Sequence, residues 1–490
     1  MPVRVSPHFG LTDRRSLWLL AAAGLALCLL ANLPWQVDDY DQAKQAFTSF
    51  QMVNRGRWLY QETPHDRIAT KPPLVGWFSA ISYLAIRNWE LAWRIPSVLA
   101  AAGIAYLLFR AANTAFGTVA AVIALAAFIF NLITPRLATL VRTDMPLALV
   151  VFAIGLVIWD RIRTQTPWRP NDRVIIFALL SVGMLIKGPV VLAFLLPGLI
   201  AFRLWLRRPI VSAFPGFWPW IASLAIFLLW VAGGVETVTG FYDEVVVREF
   251  FGRFGGDVHR SQPMLFYLPH LLHKFAPWSL LLILFGLLEW GRTGWNIRSL
   301  QISAATRWLI LWSLGGLLIM SLVPSKRVDR IFPVIPPLCL LLGAQTAELL
   351  SRPDPHRLFR RWAMPIVLAA VVFSGGYVAW KVNAGYRHNR AALADFGRAV
   401  RQQVATHSWR YAVVSSPDES LLLYLQLNEF LLPQQAIEEW NAGKIDAIVV
   451  SNRDAAEVMS GFQPAGRISL KSGHRQDDDT LDYLLVTKPD

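Results

Sequence analysis

Long apolar stretches recur along this chain, separated by short polar loops. They cover residues 16–34, 91–111, 118–134, 143–159, 174–186, 189–205, 217–235, 276–289, 308–323, 331–350 and 362–380. A helix of about twenty apolar residues spans the hydrocarbon core of a bilayer, so the pattern predicts about eleven transmembrane helices. The two stretches flanking Lys187 are each short for a complete crossing. Beyond residue 384 the pattern changes. Residues 411–415, 447–451 and 481–487 are short β-branched runs, and 391–404 carries amphipathic helical spacing. The expectation is an α-helical polytopic membrane domain over 1–384, with a large first external loop, and a small soluble α/β domain over 385–490.

Composition agrees with this reading. The chain is 54% hydrophobic and only 16% charged, against roughly 25% charged in a soluble globule, so soluble and disordered classes are both excluded. Cys28 and Cys339 lie inside apolar stretches and imply neither a disulfide framework nor a metal cluster. The apolar run after Arg14 and Arg15 is too long for a signal peptide's core and reads as the first span.

A net charge of +14 would suggest nucleic acid in a soluble protein, but here it reports on topology. Arg14 and Arg15, then Arg161, Arg163, Arg169 and Arg173, then Arg203, Arg207 and Arg208 fall on one side of the threaded chain. Acids near the boundaries, including Asp41, Asp66, Asp144, Glu236 and Asp329, gather on the other. The positive-inside rule places the arginine face in the cytoplasm. The expectation is a multi-pass protein of the inner (plasma) membrane, with its acid-bearing loops and C-terminal domain on the periplasmic face. Its partners would include the lipid bilayer and no nucleic acid.

Five segments on that outer face carry candidate chemistry. The first loop holds Asp38-Asp39-Tyr40-Asp41, a helical stretch over 42–54, Gly56-Arg57-Trp58, and Lys71-Pro72-Pro73 opening another apolar helix. Proline favours a helix's first turn, so Lys71 stands beside free N–H groups, either as part of an anion site or as a headgroup-level lysine. Asp144, within Arg142-Thr143-Asp144-Met145-Pro146, is either a helix cap or a working carboxylate. Lys187, before Gly188-Pro189, needs an acid, a phosphate or a water-filled cavity opposite it. The loop over 236–263 brings His259, and Lys326, Arg327 and Arg330 follow the ninth span. Carboxylates and cations on one membrane face suit a phosphate-bearing substrate and proton transfer.

Together these segments resemble the C-type, lipid-dependent glycosyltransferases, in particular the group that includes protein O-mannosyltransferases and the bacterial aminoarabinose transferases acting on lipid A. Asp41-Gln42-Ala43, Gly56-Arg57-Trp58, Lys71-Pro72-Pro73-Leu74, Arg94-Ile95-Pro96-Ser97, Thr143-Asp144-Met145-Pro146-Leu147 and Lys187-Gly188-Pro189 follow that family's motifs in order. Two positions depart from it: Gln42 stands where a second acid is usual, with Asp39 a nearby substitute, and Arg330 stands where a tyrosine is common. The resemblance implies transfer of a sugar from a polyprenyl-phosphate donor to a hydroxyl acceptor on a lipid, glycan or protein. It implies Asp41 and Asp144 as catalytic carboxylates, and Lys71, His259, Lys326, Arg327 and Arg330 around the donor phosphate. Asp39, Arg94 and Lys187 would support them. No metal ligand is assigned, and a divalent metal requirement stays open. The alternative reading is a polytopic transporter or lipid-linked-sugar flippase.

The arginine asymmetry makes a direct prediction about topology. In a background lacking Cys28 and Cys339, a cysteine placed near Asn171 is protected from a membrane-impermeant thiol reagent in intact cells, and one near Asn389 is labelled. Labelling near Asn171 would overturn the orientation.

Overall fold

The computed structural model describes residues 11–37, 40–205, 214–252, 261–292, 294–295, 302–351, 353–473 and 481–489. In chain order its helices are α1 (Arg14–Leu30), α2 (Tyr40–Asn54), α3 (Leu74–Ile86), α4 (Trp89–Ala92), α5 (Ile95–Phe116), α6 (Thr118–Ile129), α7 (Thr134–Thr139) and α8 (Asp144–Thr164). Then come α9 (Pro170–Lys187), α10 (Val190–Ala193), α11 (Leu196–Trp205), α12 (Trp218–Thr237), α13 (Tyr267–Lys274), α14 (Trp278–Arg292), α15 (Ala304–Leu322), α16 (Ile335–Leu350) and α17 (Pro353–Arg387). The C-terminal part holds α18 (Ala392–His407), α19 (Ser420–Leu425), α20 (Pro433–Asn441) and α21 (Ala455–Ser460). The strands are β1 (Glu62–Thr63), β2 (Arg67–Ile68), β3 (Tyr411–Val413), β4 (Ala447–Ser451), β5 (Arg467–Lys471) and β6 (Tyr483–Thr487).

A helix occupies every expected apolar stretch, but the stretches are not equivalent as spans. Among the described residues six helices are long and apolar enough to cross a membrane, or up to eight if each of two bent pairs is one span. The helix α1 has 17 residues and α6 only 12. The α9 helix and the α10–α11 stretch bend by 116°, and the helices on either side of 275–277 by 102°. The first bend falls at Gly188, whose φ of +67° lies in the region that only glycine enters without strain. The protein is a polytopic α-helical membrane protein with a small C-terminal sheet.

The chain forms two compact units: Met1–Ala31 with Thr70–Val75 and Arg94–Ala379, and Asn32–Ala69 with Gly76–Trp93 and Trp380–Asp490. Most of the first loop therefore groups with the tail, whereas the sequence suggested a single cut after residue 384. In the first unit α5 packs on α6 and α8, α16 on α6, and α11 on α15. The last pair meets backbone to backbone: a Cβ on Gly315 would lie 2.6 Å from the Gly198 nitrogen. Small residues allow such close approach where lipid provides no hydrophobic drive. The chain between α6 and α7 is fixed by Asn131, a buried amide that is fully used. Its Nδ2 donates to the carbonyls of Ala127 and Phe128, and its Oδ1 accepts from the nitrogens of Ile133 and Thr134.

In the second unit a four-stranded sheet runs in the order β3-β4-β6-β5, with β3 parallel to β4 and the other pairs antiparallel. The sequence pattern shows three of these strands. It misses β5, because an exposed edge strand lacks an apolar run. Trp440, Ile448, Val450, Val458, Phe462 and Val486 form the core beneath it. The first-loop segments are tied to this domain by two polar contacts and a ring stack. The Val37 nitrogen donates to the Tyr424 hydroxyl at 2.6 Å, Arg55 meets Glu429 at 2.8 Å, and the His65 ring stacks on Phe430.

Candidate active site

The start of α8 and the end of α9 meet through charge. Asp144 lies in the first turn of α8, where free backbone N–H groups favour an anion, and Lys187 closes α9, where free carbonyls favour a cation. The Lys187 Nζ donates to Asp144 Oδ1 at 2.6 Å, both side chains being largely buried. Of the three partners that the sequence offered Lys187, the structure supplies the acid. Asp144 does not cap α8; Thr143 holds that position, and its side chain makes no capping bond either. The charges of Arg142 and Lys71 also act on the Asp144 carboxylate. Lys71 precedes α3, which begins at Leu74, so Pro72 and Pro73 lead into the helix instead of forming its first turn.

Arg142 in turn reaches Asp329, with Nη1 donating to Oδ2 at 2.8 Å, and Arg136 stands 3.6 Å from the other carboxylate oxygen. Both Arg142 and Asp329 are buried. The pairing pins the turn before α8 to the 325–330 segment. Ser97 fixes the same turn from another side, donating to the Leu140 carbonyl at 2.7 Å. Arg94 is buried at the start of α5, just ahead of the Pro96 that occupies its first turn.

The cations of the 325–330 segment have different duties. Lys326 Nζ donates to the Gln262 carbonyl at 3.0 Å, and burial pushes its ammonium below the ordinary lysine range. Arg330 donates to the carbonyl and the hydroxyl of Ser325, shaping its own loop. The Arg327 nitrogen donates to the Tyr267 hydroxyl, and the charges of both Arg330 and Asp144 act on that tyrosine. The first unit thus gathers Lys71, Arg142 and Lys187 about one carboxylate, with the 325–330 segment linked to it through Asp329. Such a cation-rich place can hold a phosphate and stabilise charge that develops on it.

Asp41 belongs to the second unit, in the first turn of α2. Two predicted site residues, Asp39 and His259, lie outside the described residues. Among the described residues no three His, Cys, Asp or Glu side chains gather into a metal-holding group. Sequence reading missed the Arg142–Asp329 pair. A charged residue 187 positions away carries no local signal, although a buried arginine beside a span requires a partner somewhere.

Removing one member of a buried pair leaves the other charge uncompensated. We expect Asp329→Ala to lower the stability of the detergent-solubilised protein by about 3 to 5 kcal/mol. Thermal unfolding checks this, and an unchanged midpoint would show that the pair holds nothing in place.

The description of one family model, dolichyl-phosphate-mannose-protein mannosyltransferase, matches residues 70–233. The undecaprenyl phosphate-α-4-amino-4-deoxy-L-arabinose arabinosyl transferase 1 of Pseudomonas fluorescens is 27% identical over 383 residues, which cover 76% of this chain and 65% of that protein. The corresponding transferase of Yersinia enterocolitica is 25% identical over 459 residues, covering 86% and 78%. The chain thus spans somewhat less than two thirds of the first relative's length. The crystal structure of ArnT from Cupriavidus metallidurans bound to undecaprenyl phosphate superposes with a TM-score of 0.69 at 17% identity, over 96% of this chain and 97% of that one. In sequence and in fold, the chain is similar to the C-type, lipid-dependent glycosyltransferases of the aminoarabinose-transferase kind.

Proposed function

We propose that this protein is an integral-membrane glycosyltransferase that moves one sugar from a polyprenyl-phosphate carrier to an acceptor hydroxyl on the periplasmic face. The observation that carries this reading is the Asp144 carboxylate held among Lys187, Arg142 and Lys71, in a fold shared with an enzyme solved bound to undecaprenyl phosphate. The named relatives make undecaprenyl phosphate-α-4-amino-4-deoxy-L-arabinose the first donor to test. Lipid A, a cell-surface glycan and a protein hydroxyl are the acceptor classes.

The chemistry divides between two demands. A departing polyprenyl phosphate takes the bonding electrons of the glycosidic C–O bond and needs cations, not a proton. Lys71, Lys326 and Arg327 are the candidates for that role, with His259 assigned from sequence. Arg330 acts by shaping the loop that carries Lys326 and Arg327. The acceptor hydroxyl needs a base as it attacks, and Asp41 is assigned that role. Asp144 is committed to Lys187 and orients the acceptor, while Arg94 keeps the supporting role assigned to it from sequence. A single displacement inverts the anomeric carbon.

The position of the charges favours transfer over transport. Asp144 stands at the start of a membrane-length helix, α8, whereas a transport path sets ionisable groups near the bilayer midplane.

Asp41→Asn keeps the size of the side chain while removing its proton acceptor. Transfer is expected to fall by about two to four orders of magnitude, with folding and donor binding retained. Lys71→Ala is expected instead to weaken use of limiting donor, and Lys71→Arg to restore part of it. Normal transfer by folded Asp41→Asn would remove the base assignment.

A further inference from the structure

A buried carboxyl in the C-terminal domain has no part in the chemistry so far. Glu419 is 5% exposed, and its Oε2 has no hydrogen-bond partner among the described residues. It occupies the N-cap position of α19, yet its side chain makes no capping bond. Burying an acid this way costs free energy.

Its neighbours come from the first loop. The helix α19 packs on α2, and the Tyr424 hydroxyl on α19 accepts from the Val37 nitrogen just ahead of α2. Three charges act on the Glu419 carboxyl: Lys44 and Asp41 from α2, and Arg67 from β2. The adjacent Asp418 is engaged by the Tyr483 hydroxyl at 2.6 Å, and on α18, which also packs on α19, Asp395 pairs with Arg398. The His65 ring contacts the Ser416 carbonyl on the same approach to α19.

We propose that Glu419 is a positioning residue for sugar transfer: its charge state sets the strength of Asp41 as a base, so that the C-terminal domain takes part in the reaction. This rests on the assignment of Asp41 as the base. Burial raises the Glu419 carboxyl to about 7, against the pull of Lys44 and Arg67, with the like charge of Asp41 adding to the rise. Below that pH Glu419 is neutral and adds no charge beside Asp41. Above it a second negative charge stands near Asp41 and raises its affinity for the proton leaving the acceptor hydroxyl. A stronger base removes that proton more effectively, so transfer gains with rising pH. The proton passes from the acceptor oxygen to the Asp41 carboxylate as the new glycosidic bond forms, and Glu419 exchanges only its own proton with solvent.

Two readouts on the purified full chain test this. Infrared difference spectra over about pH 5 to 9 follow carboxyl protonation without any substrate. The wild type is expected to show a carboxyl titrating at about 7, absent in Glu419→Gln and shifted to lower pH in Asp41→Asn, where the like charge is gone. Transfer from undecaprenyl phosphate-α-4-amino-4-deoxy-L-arabinose to lipid A is expected to rise about three- to tenfold across the same midpoint. Glu419→Gln should stay on the low-pH plateau, and Glu419→Asp should retain the rise with a displaced midpoint. A merely structural Glu419 would change the amount of folded protein and leave the pH profile alone. Absence of a Glu419-dependent titration, or a midpoint indifferent to Asp41→Asn, would overturn the proposal. Coupling in the spectra combined with normal transfer by Asp41→Asn would overturn the base assignment instead.

Discussion

A carboxylate buried at the end of a transmembrane helix must be matched by positive charge, and this requirement organises the first unit. Asp144 is matched by Lys187 at 2.6 Å, and the neighbouring Arg142 is matched in turn by Asp329 at 2.8 Å. In surroundings of low dielectric each pairing is costly to break, so each acts as a pin between segments far apart in sequence. The start of α8, the end of α9 and the 325–330 segment are thereby held at one place. Helix dipoles reinforce the arrangement, since the acid sits at an N-terminus and the lysine at a C-terminus.

The second unit solves a different problem. A loop of some sixty residues between spans has little apolar surface with which to fold by itself. Here α2 and the β1–β2 pair share a unit with the tail, through Tyr424, Glu429 and Phe430. Trp58 shows how a motif residue serves this architecture: its carbonyl accepts from the Trp77 indole at 2.6 Å, after the turn at Gly56 with φ +66°. The Gly-Arg-Trp motif thus has a structural explanation in the exit from α2. The placement of Asp41 in the first turn of α2 follows from the same folding.

Hydropathy made the helices of the membrane part legible, because apolar runs of bilayer length have few alternatives in sequence. It did not show which of them bend. The break at Gly188 depends on one backbone conformation, and α1 and α6 are shorter than their apolar runs suggest. Lys187 announced that it needed a counter-charge, but only folding could select Asp144. Asp329 and Glu419 were silent for a related reason: each acquires its meaning from a partner far along the chain. The grouping of the first loop with the tail was equally hidden, since it rests on single hydrogen bonds and ring contacts instead of a composition boundary. Motif order pointed to the family resemblance, and physical reading of the same residues explained why several of them are charged.

The most direct measurement is donor consumption by the full-length protein reconstituted in lipid vesicles. Undecaprenyl phosphate-α-4-amino-4-deoxy-L-arabinose and polyprenyl-phosphate mannose would be supplied in parallel, each with lipid A and with a hydroxyl-bearing peptide as acceptors. A glycosyltransferase releases free polyprenyl phosphate from one of the donors, in proportion to the sugar gained by an acceptor. Movement of intact donor between leaflets, with no carrier phosphate released and no acceptor modified, would contradict the account and establish a transporter in its place.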